Sequence, residues 1–167
     1  QSVSMVVFRE NTEDVYAGLE WPAGSPEALE MLKDINRKAK AAGLNPLSME
    51  SAVGIKPMSK TNTSRLVSRA IGYAIEKGRN SVTLMHKGNI MKFTEGAFRD
   101  WGYEVAREKF PEETITEQDV FDRYDGQRPR DRIVIKDRIA DAMFQQLLLR
   151  PQEYDVIATP NLNGDYL

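Results

Sequence analysis

Apolar residues along this chain fall in two rhythms, short unbroken runs and stripes at helical spacing, and the two alternate. Met5-Val6-Val7-Phe8 is a run of the first kind and predicts a strand buried on both faces. Val15 to Trp21 alternates loosely and predicts a second strand. Ser25-Pro26-Glu27 predicts a helix start: an N-cap hydroxyl, proline at the first helical position, then an acid. Ala28, Leu32, Ile35, Ala39 and Ala42 form its apolar stripe, and Gly43 and then Pro46 end it. Leu47 to Ile55 reads as a strand closed by Pro57. A second helix is expected from about Asn62 to Lys77, with Leu66, Val67, Ala70, Ile71 and Ala74 inward and Gly78 as its stop. Ser81 to His86 predicts a strand. Ile90 to about Phe110 predicts a helix in which Phe93, Ala97 and Trp101 share a face. The charged stretch Glu112 to Asp131 contains Gly126 and Pro129 and reads as an irregular surface insertion. Ile133-Val134-Ile135 predicts a strand. Ala140, Phe144 and Leu147 mark a helix that stops before Pro151, and Tyr154 to Ala158 the last strand. Strand and helix alternate, so the fold class is layered α/β.

Composition narrows the choice of function. The chain has 167 residues, 41% hydrophobic and 29% charged, as in a globular domain with a real core. A formal charge of -2 gives no basic surplus, so no nucleic-acid partner is expected. No apolar run approaches the ~18 residues of a membrane span, so no membrane partner is expected either. With no cysteine, disulfides and thiolate chemistry are excluded. The chain begins at Gln1 and has no signal-like segment; it reads as a piece of something longer.

Several side chains are candidates for chemistry. Lys87 follows a strand and precedes a helix, and open α/β sheets place ligands at such strand ends. Arg9 can grip a carboxylate with two parallel hydrogen bonds, or pair with Glu10, Glu13 or Asp14. Tyr16 is a weak acid that a nearby cation would improve, or a tyrosine packed with Trp21. Three acids suit a hard divalent ion. Asp165 lies just past the last strand. Asp137 and Asp141 fall one helical turn apart, with Asp137 placed to cap the helix and Asp141 free to point at a ligand. His86, the one histidine, has no sequence partner and is expected to cap or pack.

The run His86-Lys87-Gly88-Asn89-Ile90-Met91-Lys92-Phe93-Thr94-Glu95-Gly96-Ala97-Phe98 resembles a signature of the prokaryotic-type isocitrate dehydrogenases, within the isocitrate/isopropylmalate dehydrogenase family. Phe8 to Gly18 (FRENTEDVYAG) resembles that family's substrate and tyrosine segment, and Asn161 to Tyr166 (NLNGDY) its metal segment. The matches occur in family order and span nearly the whole chain. The resemblance implies the small α/β domain of that fold, residues 1–14 and 59–167, with residues 15–58 inserted as an α+β clasp that interlocks with a second copy. The large cofactor-binding domain is expected to lie outside this chain. It implies oxidative decarboxylation of isocitrate to 2-oxoglutarate and carbon dioxide, with NADP (NAD the alternative) and Mg2+ or Mn2+. Tyr16 resembles the proton donor and Lys87 the group that removes the hydroxyl proton. Arg9 and Asn89 resemble substrate-binding residues, Arg150 one that reaches the cofactor's extra phosphate, and Asp141 and Asp165 the metal ligands. For Lys87 the expectation is burial or a neighbouring cation, Lys92 or His86, to favour its neutral form. The resemblance further implies a cytoplasmic homodimer whose active sites are shared, so that one copy holds halves of two sites. The family's upstream substrate loop and downstream cofactor loop have no counterpart between Gln1 and Leu167, so the chain by itself is expected to be inactive. The alternatives are a relative acting on isopropylmalate, homoisocitrate or tartrate, and a non-catalytic dimerisation or binding module.

Overall fold

The computed structural model describes residues 3–167. Five strands form one parallel sheet: β1 (Val6–Arg9), β4 (Ser81–His86), β5 (Thr114–Thr116), β6 (Ile133–Ile139) and β7 (Val156–Thr159). Their order across the sheet is β1-β7-β4-β6-β5, so the last strand in sequence is inserted next to the first. Val156 lies level with Val6 on one side and Val82 on the other. Parallel neighbours require crossovers, and helices supply them on both faces. The expected α/β class is therefore the observed one.

Helices α2 (Lys60–Glu76) and α3 (Glu95–Lys109) cover one face, where Val67, Ile71, Leu84, Phe98, Ile135 and Val156 meet in the main core. Helix α5 (Ala140–Leu149) covers the other, packing Met143 against Met85 and Ile157. The period-2 alternation is visible within β4, where Leu84 and Met85 serve opposite cores. Ser59 caps α2 by accepting from the Asn62 amide. Gly78 follows α2 at φ +60, a left-handed conformation that costs glycine nothing.

Between residues 18 and 55 the chain makes an excursion from this body. Helix α1 (Pro26–Ala41) has the expected Ser25 cap, Pro26 at its start and Gly43 past its end. It packs Ala28 and Leu32 against Val53 and Trp21. The two-residue strands β2 (Glu20–Trp21) and β3 (Val53–Gly54) pair antiparallel and close the excursion at its base.

Several elements differ from the sequence expectation. The strand expected over Val15 to Trp21 is a 3₁₀ turn over Asp14–Ala17 followed by β2. Asp14 is buried in a left-handed conformation, φ +73, which opens that turn and is incompatible with extended strand backbone. The strand expected over Leu47 to Ile55 shrinks to β3, because only two residues find a partner. Helix α3 starts at Glu95, not Ile90, and Phe93 points to solvent at 93% exposure instead of joining the stripe. The expected surface insertion contains the edge strand β5 and helix α4 (Glu117–Tyr124), capped by Thr116 on the Asp119 amide. Strand β1 is an edge strand, so Val7 is 43% exposed and not buried on both faces. Among the described residues, no helix is long and apolar enough to cross a membrane.

Candidate active site

The carboxyl ends of the parallel strands bring most of the candidates to one edge. Arg9 ends β1, Lys87 follows β4, Asp141 follows β6, and Asp165 closes the short helix α6 (Asn161–Asp165) after β7. Two clusters form there. In the first, Arg9 donates from Nε to Asn161 Oδ1 at 2.9 Å and from Nη1 to Asp165 Oδ1 at 3.1 Å. Its guanidinium carbon stands 5.3 Å from the centre of the Tyr16 ring. Arg9 thus pairs with Asp165 across the sheet and not with Glu10, Glu13 or Asp14, and Tyr16 stacks under Arg9 and not with Trp21. The Tyr16 phenol is pushed above its ordinary range by its hydrogen bond to Asp165, then by desolvation and the Asp165 charge; Arg9 opposes these. The cation beside Tyr16 is present, but the acid outweighs it. Gly164 is what admits Arg9, because a Cβ there would stand 2.7 Å from Arg9 Cγ.

The second cluster joins Lys87 to Asp141. Lys87 Nζ lies 2.6 Å from both carboxylate oxygens of Asp141. This pair and its own backbone amide hold Asp141 below the usual carboxylate range. Lys87 Nζ meets a carboxylate where a cationic neighbour was expected. Lys92 is exposed, and His86 turns inward to place Nε2 2.8 Å from Asp137 Oδ2. His86 Nδ1 accepts from the Gly88 amide at 2.9 Å, so the ring donates from Nε2. Asp137 also accepts from the Tyr103 hydroxyl at 2.7 Å. Burial is the largest influence on Asp137 and would raise it, but the His86 and Tyr103 hydrogen bonds and the Arg99 charge hold it below the usual range. Burial first, and then Asp137, push the Tyr103 phenol up. Asp137 lies within β6 and caps no helix; the residue at the α5 N-cap is Ile139. Asp137 and Asp141 therefore do not share a helix face.

The remaining candidates stand apart. Asn89 is exposed in the turn beyond Lys87. Arg150 sits at the far end of α5, roughly 13 Å of helix from Asp141, and its guanidinium is 3.6 Å from Glu153. Asp141 and Asp165 are each held by a cation of their own cluster. Among the described residues no group of three or more potential metal ligands gathers. Both carboxylates are half or more exposed and offer hard oxygen donors, the chemistry a divalent ion such as Mg2+ accepts.

Sequence reasoning missed what lies under these clusters. Glu95 is fully buried and accepts at Oε1 from the Lys87 amide and from Asn163 Nδ2, both at 2.6 Å. Lys56 Nζ stands 2.9 Å from Glu95 Oε2, near enough for charge attraction but outside hydrogen-bond geometry, and donates to Asp14 Oδ1. Asp14 Oδ2 accepts from the Leu162 amide at 3.1 Å. Glu13 accepts from the Ser59 amide and Asn62, and Glu10 from the amides of Thr12 and Glu13. The acids of FRENTED thus organise backbone, and only their density hinted at it. The glycines of the lysine run have a steric reason too. A Cβ on Gly88 would stand 2.6 Å from Gly96 Cα, so the loop closes backbone against backbone.

Known proteins match this chain from end to end. The sequence model described as isocitrate/isopropylmalate dehydrogenase matches residues 1–167. A protein named isocitrate dehydrogenase [NADP] from Archaeoglobus fulgidus is 59% identical over 167 residues, covering 100% of this chain and 40% of the relative. One of the same name from Haloferax volcanii is 57% identical over 169 residues, covering 99% of this chain and 39% of the relative. The crystal structure of isocitrate dehydrogenase from Methylococcus capsulatus superposes with a TM-score of 0.69 at 32% identity, over 99% of this chain and 37% of that one. The chain spans about two fifths of the length of these relatives. With the family match running through every residue and the same fold in a solved relative, the chain belongs to the isocitrate/isopropylmalate dehydrogenase family.

Proposed function

We propose that this chain supplies catalytic parts of an NADP-dependent isocitrate dehydrogenase. The observation that carries the reading is the placement of two acid–cation clusters, Arg9–Tyr16–Asp165 and Lys87–Asp141, on the carboxyl edge of a single parallel sheet. The names of the relatives supply the substrate and the cofactor. Arg9 binds a substrate carboxylate, exchanging its bond to Asp165 for one to the ligand. Asn89 reaches the same ligand from its exposed turn. Lys87, anchored at the strand end, takes the hydroxyl proton as a neutral amine, so its pairing with Asp141 gives way first, as it would if Asp141 held a divalent ion. Tyr16 delivers a proton to the carbon from which carbon dioxide has left. A phenol is protonated at neutral pH, as a donor must be, and the Asp165 carboxylate beside it makes Tyr16 a weaker acid in the unliganded chain. Asp141 and Asp165 would hold the divalent ion, and Arg150 the cofactor's extra phosphate. A metal held there would polarise the carbonyl oxygen, and NADP would supply the hydride acceptor.

The domain reading belongs to the same proposal: residues 1–14 and 59–167 form the small domain and residues 15–58 a clasp. Leu19, Leu44, Leu47, Met49 and Ile55 leave apolar surface exposed on the excursion, which a second copy would cover. A dimer also supports the sharing of sites, because Asp141 and Asp165 occupy separate clusters within one copy.

The test places these 167 residues in the frame of the Archaeoglobus fulgidus relative. NADP reduction with isocitrate and Mg2+ is expected, and Lys87→Met and Tyr16→Phe are each expected to lower turnover ~10²–10⁴-fold. Reduction with isopropylmalate but not isocitrate would overturn the substrate. Parental turnover in both variants would overturn the assigned roles.

A further inference from the structure

We propose that Glu95 is a positioning residue for Lys87, and that the buried chain Glu95–Lys56–Asp14 holds the loop of Lys87 in register with the segment that carries Tyr16. The proposal rests on the reading of Lys87 as the proton-moving group. A carboxylate with no exposure is costly unless charge and hydrogen bonds compensate it, and a buried ion pair is seldom kept for stability alone. Glu95 stands at the first position of α3, where its own helix offers free amides. It reaches back instead, to the amide of Lys87 and the side chain of Asn163, at 2.6 Å each. The bond to Lys87 fixes the backbone from which the Nζ–Asp141 pair projects. The bond to Asn163 fixes the middle of α6, two residues before Asp165.

Lys56 extends the contact. It lies between two buried acids, Glu95 and Asp14, with its own side chain 17% exposed. Asp14 is two residues before Tyr16 and takes the amides of Val15 and Leu162. The two acid–cation clusters touch one buried network, and Glu95 at its centre is closed off from solvent. Two buried acids around one lysine are an arrangement that packing alone would not select. Register between reacting groups does, since a misplacement of about 1 Å costs on the order of 10²-fold in rate.

The experiment uses the grafted full-length enzyme described above. Glu95→Ala is expected to lower kcat on the order of 10²-fold. Glu95→Gln keeps the acceptor for the Lys87 amide and is expected to recover about tenfold of that loss, with KM for isocitrate within about twofold of the parent in both. With isocitrate deuterated at the oxidised carbon, the isotope effect on kcat should rise in both variants as hydride transfer becomes limiting. A purely structural role would lower the melting temperature and leave kcat and the isotope effect unchanged in folded enzyme, and that result overturns the proposal. If the unmodified graft has no activity, or keeps it after Lys87→Met, the functional reading fails first. A measurement free of mutation decides the geometry: in the unmodified chain, the Lys87 amide proton should resonate downfield and exchange slowly. An ordinary shift with fast exchange would overturn the proposal whatever the variants do.

Discussion

The sheet body and the excursion over residues 18–55 are built on different principles. In the body, both faces of the sheet are covered and the core runs from Val67 in α2 to Ile157 in β7. In the excursion only Ala28, Leu32 and Val53 are buried, around two-residue strands. The excursion keeps its own caps and a closed base, with the Ile55 amide on the Leu19 carbonyl at 2.9 Å. Secondary structure there is locally specified, while stability is not, because a three-residue core cannot offset the entropy of ordering so long a segment. The body carries the sheet edge where chemistry is proposed, and the excursion carries exposed apolar surface.

Paired cavities give the largest effect. Leu84→Ala in the body is expected to cost roughly 3–5 kcal/mol of global stability in urea unfolding. Leu32→Ala empties a site that is as fully buried, yet its cost, about 2 kcal/mol, should appear as lost amide protection within residues 18–55. If sheet amides in β4 and β7 lose protection equally, the two regions are one cooperative unit and the contrast fails.

The caps repeat the comparison at smaller scale. Ser59→Ala and Ser25→Ala each remove an acceptor from a helix N-terminus, worth about 1 kcal/mol. The first should lower the global unfolding midpoint. The second should leave it unchanged and speed exchange only in α1. A shift of the global midpoint by both would show that α1 is part of the body's transition.

The smallest contrast is electrostatic. Asp137 in the body and Asp34 in the excursion both sit below the usual carboxylate range. A depressed acid contributes stability that is complete above its unfolded value, about 3.9, and is lost as pH falls through the folded value. The contribution of Asp137 should vanish in acid below about pH 4 and persist in salt, because His86 and Tyr103 bind it directly. Asp34 is half-exposed and held by Lys38 and Arg37, so ~1 M salt should erase its influence. Stability measured against pH at low and high salt, for Asp137→Asn and Asp34→Asn, reads both. Equal salt sensitivity would undo the distinction.

Much of the body was legible in the chain. Unbroken apolar runs such as Val82-Thr83-Leu84-Met85 mark strands covered on both faces, and Ser25, Gly43 and Gly78 punctuate helices as expected. The misses have a common physical origin. Ser-Arg-rich α2 begins earlier than its apolar stripe because Ser59 caps it, and α3 later because Gly88 must meet Gly96. Strand β6 continues through Lys136-Asp137-Arg138 because each polar side chain finds a tertiary partner: Lys136 on the Glu153 carbonyl, Asp137 on His86, and Arg138 in a two-bonded fork with Glu117. Such partners lie far away in sequence, so periodicity cannot announce them. The residues of both clusters were found by resemblance, and their pairing was not. Arg9 with Asp165 spans the whole chain, and Lys87 with Asp141 joins two strands.

The strand order also sets a timetable for biosynthesis. Val6 waits for Val156, and at about 5–20 residues per second a ribosome needs roughly 8–30 s to supply it. In that interval β4, β6 and β5 are complete and can zip together, leaving the flank of β4 open where β7 will dock. Of these five strands the earliest made is thus the last to be seated, and it enters only alongside its neighbour. For the nascent chain the hazard is that open flank, an unpaired apolar lip exposed while translation continues, and a holdase that shields it would raise yield without touching the native state's stability.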